Sequence, residues 1–107
     1  MTADATKALQ RAVAAWHEKR SPTADAVLVG LKAAAELGEL AEAIHSRAPD
    51  SPEVRGEVGS EAADVAICLF TICERWFGVD LLEEVEKKLA VLNDPNSGHR
   101  SAIPKLP

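Results

Sequence analysis

A chain of 107 residues, 47% apolar and 27% charged, is expected to form one domain with a limited core. Its formal net charge of −5 and pI near 5.1 exclude a basic surface that could neutralise a nucleic-acid backbone, so no nucleic-acid partner is expected. No apolar run is long enough to cross a bilayer and no basic-then-apolar leader opens the chain, so a cytoplasmic protein without a membrane partner is expected.

In chain order, the first predicted helix runs over about 2–19, with Ala5, Leu9, Ala12, Val13 and Trp16 as an inward stripe at helical spacing. Ser21 and Pro22 break it, and Thr23 is the expected cap of a second helix over about 23–47. That second helix is apolar almost all round, through Val27, Leu28, Leu31, Ala34, Leu37, Leu40, Ala41 and Ile44, which predicts a central place in a bundle. A loop over 47–52 follows, with Asp50 or Ser51 as cap and Pro52 in the first turn of a third helix to about residue 77. In that helix Val54, Val58, Ala62, Val65, Leu69, Ile72 and Trp76 alternate at three and four. Gly78 reads as its C-terminal glycine, and Asp80 caps a fourth helix to about Leu92.

Residues 1–92 are thus expected to form an all-α four-helix bundle, and 93–107, rich in Pro, Ser and Gly, an extended tail. Ala-rich amphipathic helices in so short a chain predict burial completed by self-association, as a homodimer or homotetramer. Cys68 and Cys73, five apart on one helix, cannot bridge each other and read as buried free thiols of a reducing compartment.

Two carboxylate pairs carry the chemistry. Glu36 and Glu39 are three apart on the second helix, Glu61 and Asp64 three apart on the third, so each pair points one way from its helix. Both pairs border apolar stripes. If the two helices run antiparallel, four carboxylates meet in one small volume, where like charges raise each other's pKa unless a cation neutralises them. An all-oxygen, all-acid cluster suits a hard divalent ion, and magnesium, which also binds substrate phosphates, is the expected one.

The pattern K-x-x-x-E-x-G-E-L-x-E on one helix, followed by E-x-x-D-V on the next, resembles the MazG-like nucleotide pyrophosphohydrolases. The matching residues are Lys32, Glu36, Gly38, Glu39, Leu40, Glu42, Glu61, Asp64 and Val65, and the likeness spans roughly residues 8–92. The superfamily includes dCTP pyrophosphatases, dimeric dUTPases and phosphoribosyl-ATP pyrophosphohydrolases. The resemblance implies an all-α oligomeric enzyme that cleaves a nucleoside triphosphate to monophosphate and pyrophosphate, in nucleotide-pool housecleaning. It implies that Glu36, Glu39, Glu61 and Asp64 bind magnesium, with manganese able to substitute, and that Glu36 or Glu39 acts as the base. Lys32 would touch a phosphate. Lys88 (or Lys87), Asn93 and Arg100 would stand for the family's phosphate-contacting K…N…R, although here they are spaced more loosely than in the family. Trp16 and His17 would meet the base.

Each assignment has a plainer counterpart. Lys32 can simply pair with Glu36 one turn on, Glu42 can be a surface glutamate, and Trp16 and Trp76 can be core packing. Glu42 and His45 form a single ExxH element, whereas a carboxylate-bridged di-iron bundle requires two, so His45 is assigned instead to a helix end, where the macrodipole favours a cation. Two other functions remain open on sequence alone: a phosphoribosyl-ATP-type hydrolase, and a non-catalytic oligomerisation or nucleotide-binding module.

Overall fold

The computed structural model describes residues 3–45 and 51–96, and every regular element in them is helical. The elements are α1 (Ala3–Arg20), α2 (Ala26–His45), α3 (Pro52–Ile72) and α4 (Leu81–Asn93), with a π-helical turn, Cys73–Phe77, prolonging α3. The expected all-α class and four helices are therefore present. The tail beyond Asn96, with His99 and Arg100, lies outside the described residues, as does 46–50 with the alternative cap Asp50.

Local chemistry sets the boundaries. The Ser51 hydroxyl accepts from the Val54 amide at 3.1 Å and Pro52 occupies the first helical position, where no N–H is needed. The Asp80 carboxylate accepts from the Glu83 amide at 3.2 Å at the start of α4. Gly78, at φ 60°, adopts the left-handed conformation that ends the preceding helix. The cap of α2 is Asp25 rather than the expected Thr23: its Oδ1 accepts from the Leu28 amide at 2.8 Å. An ionised acceptor at a helix N-terminus is favoured further by the macrodipole.

The third helix is not uniform to residue 77. The Gly78 amide reaches back five residues to the Cys73 carbonyl, and the Val79 amide reaches the same carbonyl at 2.9 Å, which widens the last turn. That turn brings Glu74 and Arg75 against α1. Gln10, only 2% exposed, fastens the same junction: its Nε2 donates to Glu74 Oε1 at 3.0 Å and to the Val79 carbonyl at 2.7 Å, while its Oε1 accepts from the Leu81 amide at 3.1 Å.

The most extensive helix contact is between α2 and α3, which run antiparallel: Val29 faces Ile67–Thr71, Glu36 faces Asp64, and Ile44 faces Val54–Gly59. The expectation of a central place for α2 is corrected: within the chain it packs chiefly on α3, and only Val29 and Ala43 are buried on it, while Val27 is 72% exposed and Leu28, Leu31, Leu37 and Ile44 are also exposed. The inward face of α1 is corrected too. Gln10 and Ala14 are its buried residues and Thr6, Val13 and His17 are half-buried, whereas Ala5, Leu9, Ala12 and Trp16 of the predicted stripe are exposed. Periodicity locates an apolar face but does not say whether that face meets its own core or points outward. Cys68 is a buried free thiol as expected, and Cys73 a half-buried one.

Candidate functional site

A cavity of about 340 Å³ opens between the end of α1, the first half of α2 and the second half of α3. Trp16, His17, Arg20 and Ser21 line it from α1 and its exit; Lys32 and Glu36 from α2; Asp64, Cys68 and Thr71 from α3. Each helix gives one face. On α3 the positions 64, 68 and 71 alternate four and three, and on α2 the positions 29, 32 and 36 alternate three and four.

At the α2–α3 seam, Glu36, Glu39 and Glu61 each bring one carboxylate oxygen within 4.8 Å of the other two. Asp64 shares the cavity with Glu36 and adds its charge there. The antiparallel pairing anticipated from the two three-residue spacings therefore brings three of the four acids to one point and the fourth beside Glu36. Glu36 holds its proton more tightly than an ordinary glutamate, chiefly through a side-chain hydrogen bond with Glu39, then through desolvation and the charges of Glu39 and Asp64, with Lys32 opposing. Glu61 Oε2 is buried and has no hydrogen-bond partner among the described residues. A buried carboxylate oxygen without a donor is costly, and a cation is one group that would offset that cost. The donor set, oxygen only and without histidine or cysteine, fits a hard divalent ion.

Lys32 lines the same cavity, and its charge reaches Glu36, Cys68 and His17. Cys68 holds its thiol proton more tightly than usual, first through burial, so it lines the cavity as an unreactive group. Trp16, 53% exposed, presents its indole to the cavity, with the Arg20 guanidinium 5.7 Å from its ring centroid. The core-packing alternative for Trp16 does not hold within this chain. Trp76 is half-buried, with Arg75 over its ring and His17 at its edge.

Lys88 and Asn93 are exposed on α4 and do not line the cavity within one chain; Arg100 lies outside the described residues. Lys87 is held by Glu83 and Glu84 of its own helix at 3.4 and 3.2 Å. Glu42 is exposed, and His45, also exposed, is the last residue of α2. Sequence reasoning missed Arg20, Ser21, Thr71 and Arg75. Arg20 follows Trp16 by four and Thr71 follows Asp64 by seven, so both were legible as continuations of a face; Arg75 depends on the widened turn, which left no signal.

Compared with known proteins, the chain matches no protein-family profile, no curated protein and no solved structure.

Proposed function

We propose that this chain is a magnesium-dependent nucleoside triphosphate pyrophosphohydrolase of the MazG-like kind, converting an NTP or dNTP and water to the monophosphate and pyrophosphate. The observation that carries the proposal is the meeting of Glu36, Glu39 and Glu61 at one point beside Asp64, with Glu61 Oε2 left without a partner. These four residues would hold the magnesium, or manganese in its place. Bound there, the cation supplies charge neutralisation on phosphate oxygens and polarises the phosphorus under attack.

The chain's own groups supply the rest. Lys32 offers a point charge to a phosphate from the rim of the same cavity. Glu36 or Glu39 is the carboxylate that orients a water and takes its proton. The Trp16 indole gives a base a stacking face worth about 1–3 kcal/mol. A cavity of about 340 Å³ with acids at one end and an indole at the other suits a ligand with a charged, metal-bound part and a flat part.

The proposal includes self-association, as a homodimer or homotetramer. Val27, Ala34, Leu37 and Ala41 are all exposed on the outer face of α2, with Val27, Ala34 and Ala41 at seven-residue spacing. An exposed apolar seam of that length is a surface to be covered by another helix. Sedimentation of the full chain is expected to show a dimer or tetramer, shifted toward monomer by Leu37→Glu; a monomer in the unsubstituted protein would remove this part.

The enzymatic reading is tested by turnover of a panel of NTPs and dNTPs with and without magnesium, separating the products. Monophosphate and pyrophosphate, formed only with the metal, is the expected result. Release of single phosphate would contradict cleavage at the α-phosphorus, and no turnover would favour a non-catalytic module or a phosphoribosyl-ATP-type substrate.

A further inference from the structure

Arg75 stands on the π-helical turn and closes onto the end of α1. Its Nη1 lies 2.9 Å from His17 Nδ1 and donates to the Ser21 carbonyl at 3.0 Å, while Nη2 donates to the Pro22 carbonyl at 3.0 Å. The guanidinium carbon sits 4.6 Å from the Trp76 ring centroid. Stacking and three polar contacts leave this side chain little freedom. A guanidinium has donors and no acceptor, so His17 Nδ1 must accept, and the neutral imidazole then carries its proton on Nε2. The ring is held edge-on to Trp76 at 6.1 Å and tilted against Trp16 at 6.5 Å. Burial, then the charges of Arg75 and Lys32, lower the proton affinity of His17, so its neutral form persists to lower pH than usual. Among the described residues Arg75 is the side-chain hydrogen-bond partner of His17, and it occupies Nδ1, leaving Nε2–H for whatever enters the cavity.

We infer that Arg75 is a positioning residue that locks His17 as an Nε2–H donor, and that His17 thereby favours ligands presenting a hydrogen-bond acceptor to this end of the cavity. Arg20 and Ser21 line the same end and also donate. The ligand class rests on the nucleotide reading above; the lock does not. Every common base carries an acceptor for such a donor, a carbonyl oxygen or, in adenine, a ring nitrogen, so the ligand class is a nucleotide bound with that atom against His17.

The lock is tested on the full chain without nucleotide, by long-range ¹⁵N–¹H spectra of the imidazoles across pH 5.5 to 8. Expected is a single Nε2–H tautomer for His17. Arg75→Met should mix the tautomers and raise the His17 pKa, and Arg75→Lys, which keeps a donor, should restore the tautomer in part. An Nδ1–H tautomer in the unsubstituted protein, or an unchanged tautomer and pKa in a folded Arg75→Met, would overturn the lock; the unsubstituted spectrum decides even if that variant fails to fold. The donor role is tested by calorimetric binding of dATP, dGTP, dCTP, dTTP and dUTP with calcium in place of magnesium. At least one nucleotide should bind about tenfold or more tighter to the unsubstituted protein than to His17→Phe, the worth of one hydrogen bond. Equal affinity of the two proteins for every nucleotide that binds overturns the donor role. Binding of none overturns the ligand half and the proposed function together, while the spectra still decide the lock.

Discussion

Where α1 packs against the π-helical turn, the polar groups that set the geometry are paired. Gln10 spans Glu74, Val79 and Leu81, and Arg75 spans His17, Ser21 and Pro22. At the α2–α3 end three glutamates crowd within 4.8 Å, one oxygen lacks a partner and one proton is held against its usual tendency. The paired end is a scaffold, and its substitution subtracts stability. The crowded end opposes folding by like-charge repulsion, which is tolerable where function requires a cation. Stability and activity should therefore separate between these two regions.

The largest effect tests the crowded end by activity. Glu39→Ala or Asp64→Ala should lower kcat/KM by about 10³-fold or more, with the circular-dichroism spectrum retained. Activity like that of the unsubstituted protein in both variants would remove the metal assignment.

The next effect compares the ends by thermal unfolding without divalent ions. Gln10→Ala strands the Val79 carbonyl and the Leu81 amide and should cost about 2–4 kcal/mol, lowering Tm by about 8 °C or more. Glu61→Gln removes a charge from the cluster, gives Oε2's position a possible donor and should raise Tm by about 2–5 °C. Shifts of the same sign in the two variants would break the contrast.

The smallest effect is the pH dependence of metal-free stability, where the two ends oppose each other. Glu36 binds its proton more tightly folded than unfolded, so its contribution is complete below the ordinary glutamate range and is lost as pH rises through its raised value. His17 binds its proton less tightly folded, so its contribution is present above the ordinary 6.5 and is lost as pH falls through its lowered value. In Glu36→Gln the loss with rising pH should disappear while the loss with falling pH remains. Saturating magnesium should flatten the same limb, which Tm measured from pH 4 to 8 will show.

Much of this contrast was legible in the sequence at the crowded end and little at the paired end. Two acids three apart on each of two helices fix their direction from their own helix, and a short connection makes the helices antiparallel, so the meeting of Glu36, Glu39, Glu61 and Asp64 needed no tertiary knowledge. Gly78 and Asp80 were equally readable because caps are local, and Ser51 was one of two candidates beside Asp50. Thr23 against Asp25 was not, since both residues can cap and the winner depends on where the chain leaves α1. Gln10 and Arg75 act across 64 and 58 residues of sequence to Glu74 and His17, so no window of sequence holds both partners. The α1 stripe was misplaced for the same reason: the buried face is chosen by Gln10 and His17, polar residues with distant partners, over Leu9 and Trp16.

The central claim, a divalent-metal site made by four carboxylates, is tested most directly by titrating Mn²⁺ into the metal-free protein and following free Mn²⁺ by electron paramagnetic resonance. The account predicts saturable binding that magnesium displaces, weakened at least tenfold in Glu61→Gln and in Asp64→Asn with both variants folded. Binding of equal strength in the unsubstituted protein and both variants would contradict it.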